Sequence, residues 1–371
     1  MLNTPIKQAN PLLQFVVKVS KYCNLRCAYC YEYNELSHKG VIPVESMQRF
    51  FENIQGYAAQ NCSKIDFIWH GGEPLLVKLD YYQELAALQK QILGDQLYLH
   101  NGAQSNLTVL TDKHLQFLKD KVFFQTIGVS FDVYGDQRVD VKGQLKTRNV
   151  LKNMQTLQEN DIPFGAITVL AQNTYPHLQA IYQFYDDIGV SFRCLPIYRG
   201  ISAQQVDTHS LSQEEILKAF LLLFTSWSQS ATATPIEPLN GFMDYALSYL
   251  SGKPSKTELY DKFWDEQTFM VNTDGNVWGT SETYDPNYCY GNLFTQPMEE
   301  ILASPARLQA VQASRQRVES FCKNCLYRGH CDSKFIGEAT PIQVEQTQHS
   351  GCLVRKTLDA IIPRLAKAQA A

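Results

Sequence analysis

The sequence lacks long hydrophobic stretches, long runs of basic residues and a recognisable export signal. The best candidate for a membrane segment, ILKAFLLLF at 216–224, is flanked by polar residues and is far shorter than the roughly 20 residues that span a bilayer. There is no long run of Lys or Arg, and 33 basic against 37 acidic side chains give a net charge of −4, which disfavours nucleic acid as a partner. The N-terminal segment MLNTPIKQAN is too polar for a signal peptide. We therefore expect a cytoplasmic protein that binds neither membrane nor nucleic acid.

The 10 cysteines are unevenly distributed, and three of them fall within the segment CNLRCAYC at 23–30. In a reducing compartment such a group more often binds metal than forms disulfides. Three thiolates on one loop, those of Cys23, Cys27 and Cys30, can hold three irons of a 4Fe–4S cluster and leave the fourth iron open. A structural zinc site needs four ligands, and only His38 follows within about 15 residues. The number of ligands therefore favours an open iron–sulfur cluster.

Short β-rich stretches alternate with helical periodicity over about the first 200 residues. Strands are predicted over 14–20, 64–70, 99–105, 126–132, 164–170 and 190–197, and helices over 43–59, 80–92, 111–121, 148–160 and 175–188. Strict alternation implies parallel strands connected by helices, and hence an α/β fold with a parallel barrel or an open sheet. Active sites in such folds lie at the carboxyl ends of the strands. Five residues come at or just after a predicted strand end: Cys23, Gly71, Gln104, Asp132 and Leu195.

The pattern changes after about residue 200. A helical stretch begins with Ser212-x-x-Glu215, a spacing that is typical of the capping box at a helix N-terminus. From about residue 266 the segments become short and strand-like, and Asp274-Gly275-Asn276 indicates a β-hairpin. We therefore expect helices followed by a small domain with short strands.

A second group of cysteines lies near the C-terminus. It has the form Cys322-x2-Cys325-x5-Cys331, and Cys352 follows after 20 further residues. Four cysteines can close one metal site. Their spacing alone allows either zinc or an iron–sulfur cluster.

Two motifs together resemble the signature of radical S-adenosylmethionine (SAM) enzymes. The first is Cys-x3-Cys-x-Tyr-Cys at 23–30 after the first predicted strand, and the second is WHGGEPLL at 69–76 after the second strand. In that family the open iron chelates the amine and carboxylate of SAM, the Gly-Gly-Glu-Pro loop holds the amino group, and one electron releases a 5′-deoxyadenosyl radical. Two glycines in a row would let the backbone approach a ligand closely. The resemblance implies that SAM contacts Tyr29, Gly71, Gly72 and Glu73.

Two further strand ends match the same family less closely. The segment QSNL at 104–107 resembles the family's Gln-Thr-Asn-Gly but ends in Leu, and VSFD at 129–132 resembles Ser-Leu-Asp-Gly but is not followed by Gly. In the family such residues line the SAM ribose or the substrate. The resemblance therefore implies cofactor contacts at Gln104, Asn106, Ser130, Asp132 and Leu195.

The C-terminal part resembles the SPASM extension of radical SAM enzymes that modify peptides. The hairpin DGNVW, the segment GNLFTQPMEEIL and the second cysteine group carry the likeness, which implies an auxiliary 4Fe–4S cluster on Cys322, Cys325, Cys331 and Cys352. Full SPASM domains hold a second, inner cluster, and two of its usual cysteines are missing here. Segment 279–281 reads Gly-Thr-Ser, position 335 is Phe, and Cys289 has no companions. We infer that the outer cluster is kept and the inner one is absent.

The resemblance covers about residues 14–362 and implies a partial (β/α)6 TIM-like barrel followed by a small Cys-rich α+β auxiliary-cluster domain. We place the barrel at 11–205, a helical linker at 206–265 and the SPASM or twitch-like domain at 266–362.

The subgroup that the chain most resembles includes maturases of ribosomally made peptides (RiPP maturases), several of which form cyclophanes. This implies hydrogen abstraction from a side-chain β-carbon, attack of the carbon radical on an aromatic ring, and loss of an electron and a proton. The implied partners are a precursor peptide with a leader and an electron donor such as flavodoxin or ferredoxin. Since only 22 residues precede Cys23, we expect the leader to dock on the barrel, the C-terminal domain or a separate protein.

Several alternatives stay open at this point. Formylglycine formation in sulfatases is one, although the missing cysteines of the inner cluster disfavour it. Peptide epimerisation is another, with Cys194 or Cys289 returning a hydrogen atom, and a non-enzymatic zinc or iron–sulfur protein is a third. Any of the reactions needs a general base. The candidates for that role are Asp132, Asp274 and Glu282.

Overall fold

Six parallel strands, joined by helices, form the first half of the fold. A computed structural model describes residues 12–95, 97–197, 208–256 and 258–370. The strands are β1 (Leu12–Ser20), β2 (Lys64–Gly71), β3 (Tyr98–Ser105), β4 (Thr126–Ser130), β5 (Phe164–Leu170) and β6 (Phe192–Pro196). The helices are α1 (Val44–Asn61), α2 (Leu79–Leu93), α3 (Asp112–Lys119), α4 (Thr147–Glu159) and α5 (Leu178–Asp187). Each of the predicted strands and helices is confirmed to within a few residues, and neighbouring strands pair in parallel.

The second half is mainly helical, with four short strands. It contains α6 (Gln213–Gln229), β7 (Ile236–Glu237), α7 (Leu239–Leu250), α8 (Lys262–Asp265), β8 (Thr268–Val271), β9 (Asn276–Gly279) and β10 (Gly291–Asn292). The remaining helices are α9 (Met298–Leu302), α10 (Pro305–Cys322), α11 (Lys334–Gly337), α12 (Pro341–Ser350) and α13 (Leu353–Ala370). Ser212 and Glu215 form the expected capping box at the start of α6.

All the strands within the described residues belong to one ten-stranded sheet, in the order β10-β9-β8-β1-β2-β3-β4-β5-β6-β7. The expected hairpin, β8–β9, is attached to the barrel because β8 pairs in parallel with β1. At the other edge β7 pairs with β6, a strand that no sequence pattern indicated. The sheet thus continues across the proposed boundary at 265, whereas 11 and 205 lie outside the described residues. The division into three parts stays a prediction.

The two faces of the sheet differ in chemistry because side chains alternate along each strand. The face towards helices α1 and α2 carries the aromatic core, in which Phe67 lies 5.9 Å from Phe15, 5.7 Å from Phe51 and 6.1 Å from Trp69 between ring centroids. The opposite, inner face carries polar side chains, the first of them Lys18. Because β1 to β6 are parallel, their carboxyl ends all lie at one end of this inner face. Among the described residues, no helix is both long and apolar enough to cross a bilayer.

The aromatic core predicts a large effect of truncating Phe67. Phe67 is 0% exposed and is surrounded by four other aromatic rings. Phe67→Ala should lower the free energy of unfolding by about 3–5 kcal/mol, since the lost contacts leave a cavity. Tyr98→Ala, on the next strand but 61% exposed, is the matched control and should change stability by no more than about 0.5 kcal/mol. Urea unfolding followed by circular dichroism measures both, and equal effects would contradict this description of the core.

Candidate active site

A cavity opens at the carboxyl ends of strands β1 to β6, where the sequence predicts the active site. It encloses about 1090 Å³ of empty space, including its opening to solvent. Its lining comes from the cysteine loop after β1, the Gly-Gly turn at the end of β2, the inner residues at the ends of β3 to β6, and the loop after β4. Of the predicted site residues, it is lined by Cys23, Cys27, Tyr29, Cys30, Gly71, Gly72, Gln104, Asn106, Ser130 and Leu195.

The three cysteines of the first loop are brought together at this cavity. The loop is held by the Cys23 N–H, which donates to the Leu36 carbonyl at 3.0 Å, and by a tight turn in which the Cys30 N–H donates to the Cys27 carbonyl at 3.1 Å. Leu25 and Leu36 pack beneath the sulfurs. Burial raises the pKa of the Cys23 and Cys30 thiols to about 12. Burial also raises the pKa of the Cys27 thiol. Thiols bind metal only with release of their protons, and the number of these three suits three irons of a cluster.

The Gly-Gly turn packs closely against the end of β1 and the backbone that follows it. A Cβ atom added at Gly71 would lie 2.1 Å from the Ser20 carbonyl oxygen, and one added at Gly72 would lie 2.1 Å from the Tyr22 oxygen. The φ angle of Gly71 is also +128°, in a region that favours glycine. The Gly72 N–H donates to Ser20 O at 2.8 Å, and the Glu73 N–H donates to Tyr22 O at 2.9 Å. These glycines therefore hold the turn against the segment that leads into the cysteine loop, a role that the sequence did not reveal.

The carboxylate of Glu73 links this turn to the end of β3. Its Oε1 accepts hydrogen bonds from the Leu75 N–H at 2.9 Å and the Ser105 hydroxyl at 2.7 Å, and its Oε2 accepts from the Asn106 N–H at 2.6 Å. Burial raises the pKa of Glu73 to about 7, against the opposing effect of these hydrogen bonds. Glu73 lies behind the cavity lining, and one oxygen has a lone pair left for a ligand.

Asp132 is a buried member of an ion pair. Its Oδ2 accepts from the Arg138 Nε at 2.8 Å and from the Tyr29 hydroxyl at 2.5 Å, and its Oδ1 accepts from the Val169 N–H at 2.8 Å. The sequence did not single out Arg138, although it lines the cavity and lies over the Tyr29 ring. It sits in a loop without a motif, so no signal in the sequence could have found it. Asp132 thus orients Tyr29 and Arg138 from behind the cavity.

The end of β3 keeps its loop shape without glycine. Leu107 has φ of +52° and is fully buried, so the left-handed backbone persists where the family usually has Gly. The preceding Asn106 donates to the Asn24 side chain at 3.0 Å. Gln104 donates to Ser130 Oγ at 2.8 Å, and a Cβ atom at Gly128 would lie 2.2 Å from Gln104 Oε1. Gly128 is therefore a further residue that the site requires and that the sequence did not indicate.

The second cysteine group also encloses a cavity. Cys322, Cys325, Cys331 and Cys352 line about 430 Å³ of empty space together with Phe335. Burial, and then the proximity of the other three sulfurs, raises the pKa of Cys322 to about 12. Within the described part of the chain, no three His, Cys, Asp or Glu side chains converge closely enough to hold a single metal ion. The four sulfurs surround a space instead, and this fits a cluster whose irons each take a separate ligand.

The three candidate bases and the two candidate hydrogen donors are not among the residues that line the cavity, although Asp132 lies directly behind it. Asp274 is exposed in the β8–β9 turn, where it accepts hydrogen bonds from Asn272 and Asn276. Glu282 is paired with Lys262 at 3.1 Å. Neither Asp274 nor Glu282 is among the residues that line the cavity. The same is true of Asp132, Cys194 and Cys289.

The comparisons with known proteins agree with this geometry. Residues 17–185 match the model of the radical SAM superfamily, and residues 263–326 match that of SPASM, an iron–sulfur cluster-binding domain. A cysteine-type anaerobic sulfatase-maturating enzyme of Clostridium novyi is 24% identical over 333 residues, which cover 87% of either chain.

Two solved structures are similar in fold. The structure described as native anSMEcpe with bound AdoMet and the Cp18Cys peptide has a TM-score of 0.74 and 20% identity, and covers 97% of this chain and 99% of that one. Streptococcus suis SuiB bound to its precursor peptide SuiA has a TM-score of 0.58 and 13% identity, over 90% of this chain and 75% of that one. The matched models and the cavity together identify the chain as an enzyme with a radical SAM domain followed by a SPASM domain, and with iron–sulfur clusters and SAM as its cofactors.

Proposed function

We propose that the enzyme is a peptide maturase that removes a side-chain hydrogen from a ribosomally made precursor and forms an intramolecular crosslink from an aromatic ring to a β-carbon. The observation that carries the proposal is the cavity in which the cysteine loop, the Gly-Gly turn and the inner strand ends meet. The cavity is open to solvent at the carboxyl ends of the strands, so a peptide side chain could enter it from outside.

Each part of the cofactor has matching residues in this cavity. Cys23, Cys27 and Cys30 would bind three irons of the cluster and leave the fourth for SAM. The carbonyls of the Gly-Gly turn, with Glu73 behind them, would accept hydrogen bonds from the SAM ammonium group. When bound together, a reduced cluster and SAM supply hydrogen-atom abstraction. Further contacts to SAM or the substrate are assigned to Tyr29, Gln104, Asn106, Ser130 and Leu195, with Asp132 orienting Tyr29.

The walls of the cavity suit a carbon radical. Ile167, Val169 and Leu195 form an apolar side that keeps water from the reacting carbon. The lining also includes His70, whose pKa is lowered to about 3 by burial and then by the nearby Lys18 ammonium group. His70 is therefore neutral at physiological pH. The crosslink needs two C–H bonds broken and one C–C bond formed: the β-hydrogen would leave as an atom to the nucleoside part of SAM, the ring hydrogen would leave as a proton to solvent, and the remaining electron would pass to the auxiliary cluster.

The outer cysteine group completes the proposed set of metal ligands. We assign an auxiliary 4Fe–4S cluster to Cys322, Cys325, Cys331 and Cys352, which surround one cavity. The proposal also includes a leader peptide on the precursor and a reduced flavodoxin or ferredoxin as the external electron donor.

Formylglycine formation is the second candidate, and a specific observation favours it. The relative from Clostridium novyi that matches over 87% of this chain is named a sulfatase-maturating enzyme. Both reactions begin with abstraction of a side-chain hydrogen, so the same cavity serves either. Crosslinking is preferred because a side chain at Gly279 is blocked by charged groups, and the inner-cluster cysteines of full SPASM domains are missing there. Epimerisation is less favoured, since neither Cys194 nor Cys289 lines the cavity.

The product can be identified with two candidate peptides in one anaerobic assay. The reconstituted enzyme, SAM and a reductant are incubated with a precursor peptide rich in aromatic residues, or with a sulfatase peptide containing Cys or Ser. Crosslinking should remove two hydrogens and suppress fragmentation between the joined residues in tandem mass spectrometry. A formylglycine product from Ser also loses two hydrogens, but it fragments normally and reacts with a hydrazide. A hydrazide-reactive product from the sulfatase peptide, with the aromatic peptide unchanged, would contradict crosslinking.

The contact between the Gly-Gly turn and the cysteine loop predicts the effect of one methyl group. Gly72→Ala places a Cβ atom 2.1 Å from the Tyr22 backbone oxygen and should displace the cysteine loop. The reconstituted variant should therefore hold about four iron atoms fewer than the parent, the content of one 4Fe–4S cluster. Iron and sulfide assays measure the loss.

Gly165→Ala is the matched control for this substitution. Gly165 lies in β5, and a Cβ atom there would meet its nearest neighbour at 3.6 Å, an ordinary contact distance. This variant should bind iron and SAM like the parent. A full iron content in Gly72→Ala would show that the turn does not hold the cysteine loop in place.

A further inference from the structure

Four charged side chains are buried together behind the β8–β9 hairpin. Lys262 Nζ lies 2.7 Å from Glu266 Oε1 and 3.1 Å from Glu282 Oε2, and Arg307 Nε lies 3.2 Å from Glu266 Oε2. Their side chains are between 0% and 9% exposed. Two positive and two negative charges balance, so the group, called here the ion network, is neutral overall.

The ion network is closed by further hydrogen bonds. The Tyr290 hydroxyl lies 3.3 Å from both Glu266 Oε1 and Glu282 Oε2. The guanidinium of Arg307 also donates to the Leu302 carbonyl at 3.0 Å, as well as to the carbonyl of Phe263 at 3.0 Å. The network thus joins α8, α10 and the segment after β9. Buried charges need such complete pairing, since an unpaired buried charge is strongly destabilising.

This network lies beside Gly279, in the segment 279–281 where one cysteine of an inner cluster would be expected. A Cβ atom at Gly279 would lie 2.4 Å from Glu266 Oε1, 2.6 Å from the Tyr290 hydroxyl and 2.7 Å from Glu282 Oε2. No side chain, a cysteine included, fits at Gly279 unless the charges move. Phe335 lines the outer cysteine cavity instead. The residues present therefore do not fit an inner iron–sulfur cluster.

The segment after Glu282 reaches the mouth of the barrel through Tyr284. The Tyr284 hydroxyl donates to the Glu32 carboxylate and accepts from Lys21 at 3.0 Å, and its ring lies 6.2 Å from Tyr31. Tyr31 is a residue of the cavity lining. These contacts connect the SPASM part to the cysteine loop.

The backbone of Tyr284 is strained at this contact. Its φ is +68°, a conformation that bulky residues adopt only when their surroundings impose it. The ion network fixes Glu282 two residues earlier, and the Trp278 indole N–H donates to the Asp285 carbonyl at 2.8 Å directly afterwards. Tyr284 is therefore held from both sides.

We propose that the ion network takes the place of an inner auxiliary cluster, and that these charges, instead of a metal group, position Tyr284 against the mouth of the barrel. In this arrangement Lys262 and Glu282 are positioning residues, which act on the site through Tyr284.

Charge substitutions test the network without reference to peptide turnover. Lys262→Met removes one charge at similar length and leaves Glu282 without its cationic partner while Glu266 keeps Arg307, so the apparent melting temperature of the holoenzyme should fall by roughly 5–10 °C. Lys262→Arg keeps the charge and should lose less. The double variant Lys262→Met/Glu282→Gln restores neutrality, keeps the pair of Arg307 with Glu266, and should recover part of the loss. Equal melting temperatures for parent and Lys262→Met would overturn the network's role.

The position of Tyr284 is tested by electron paramagnetic resonance of the reduced holoenzyme. Tyr284 contacts Glu32 and Lys21, each two residues from a cysteine of the first loop. Tyr284→Phe should therefore shift the SAM-responsive part of the signal. Lys262→Met should reproduce this shift and Lys262→Arg should not, an effect that a merely stabilising network would lack. A signal in Lys262→Met identical to that of the parent would overturn the positioning role.

The iron content tests whether the ion network takes the place of an inner cluster. The anaerobically reconstituted full chain should hold about eight iron atoms, and Cys322→Ser/Cys352→Ser about four. About twelve iron atoms in the parent would overturn the proposal, because a third cluster would then be present. Since the charge variants are read without a peptide, failure of this inference is separable from failure of the proposed crosslinking.

Discussion

The site depends on the close packing of the Gly-Gly turn, Gly71 and Gly72, against the backbone segment that leads into the cysteine loop. β1 and β2 are adjacent parallel strands, so their carboxyl ends already lie side by side. Gly71 and Gly72 close the remaining distance, since any Cβ atom there would overlap a carbonyl oxygen. The thiols and the Gly-Gly turn therefore face one cavity. The expected role of these glycines was close approach to a ligand, and the structure adds close approach to the chain itself.

The sequence could predict the positions of those residues that belong to a short, recognisable pattern. Each of the first six strands and their helices has its own periodicity, so they were predicted correctly. The cysteines and the Gly-Gly turn have characteristic spacings, and the structure brings them to one cavity, while their roles as ligands stay a prediction. The pairing of β8 with β1 was not predicted, because it joins segments some 250 residues apart through four residue pairs. The two-residue strand β7 is too short to show any pattern. Arg138 was missed for a related reason, since only the folded loop brings it to Asp132.

Two positions show why departures from a motif are difficult to interpret. Leu107 replaces a usual Gly, yet its backbone is left-handed and its side chain is fully buried. Burial of a leucine side chain contributes about 2 kcal/mol, an amount comparable to the cost of the strained backbone. At Gly279 the opposite holds. The residue is small because charged groups occupy the space around it, and the sequence records only that a cysteine is missing.

The ion network also bears on when the site forms. Metal binding contributes folding free energy, so a segment held by a cluster is ordered only once the iron is present. A segment held by ion pairs between Lys262, Glu266 and Glu282 is ordered by the chain alone. A buried neutral network adds little net stability compared with apolar packing, but breaking it leaves an unpaired charge, so it specifies one arrangement strongly. On this argument the segment that contains Tyr284, which packs against Tyr31 of the cavity lining, is formed before any iron enters the barrel, and the cysteine loop is assembled against a surface already in place.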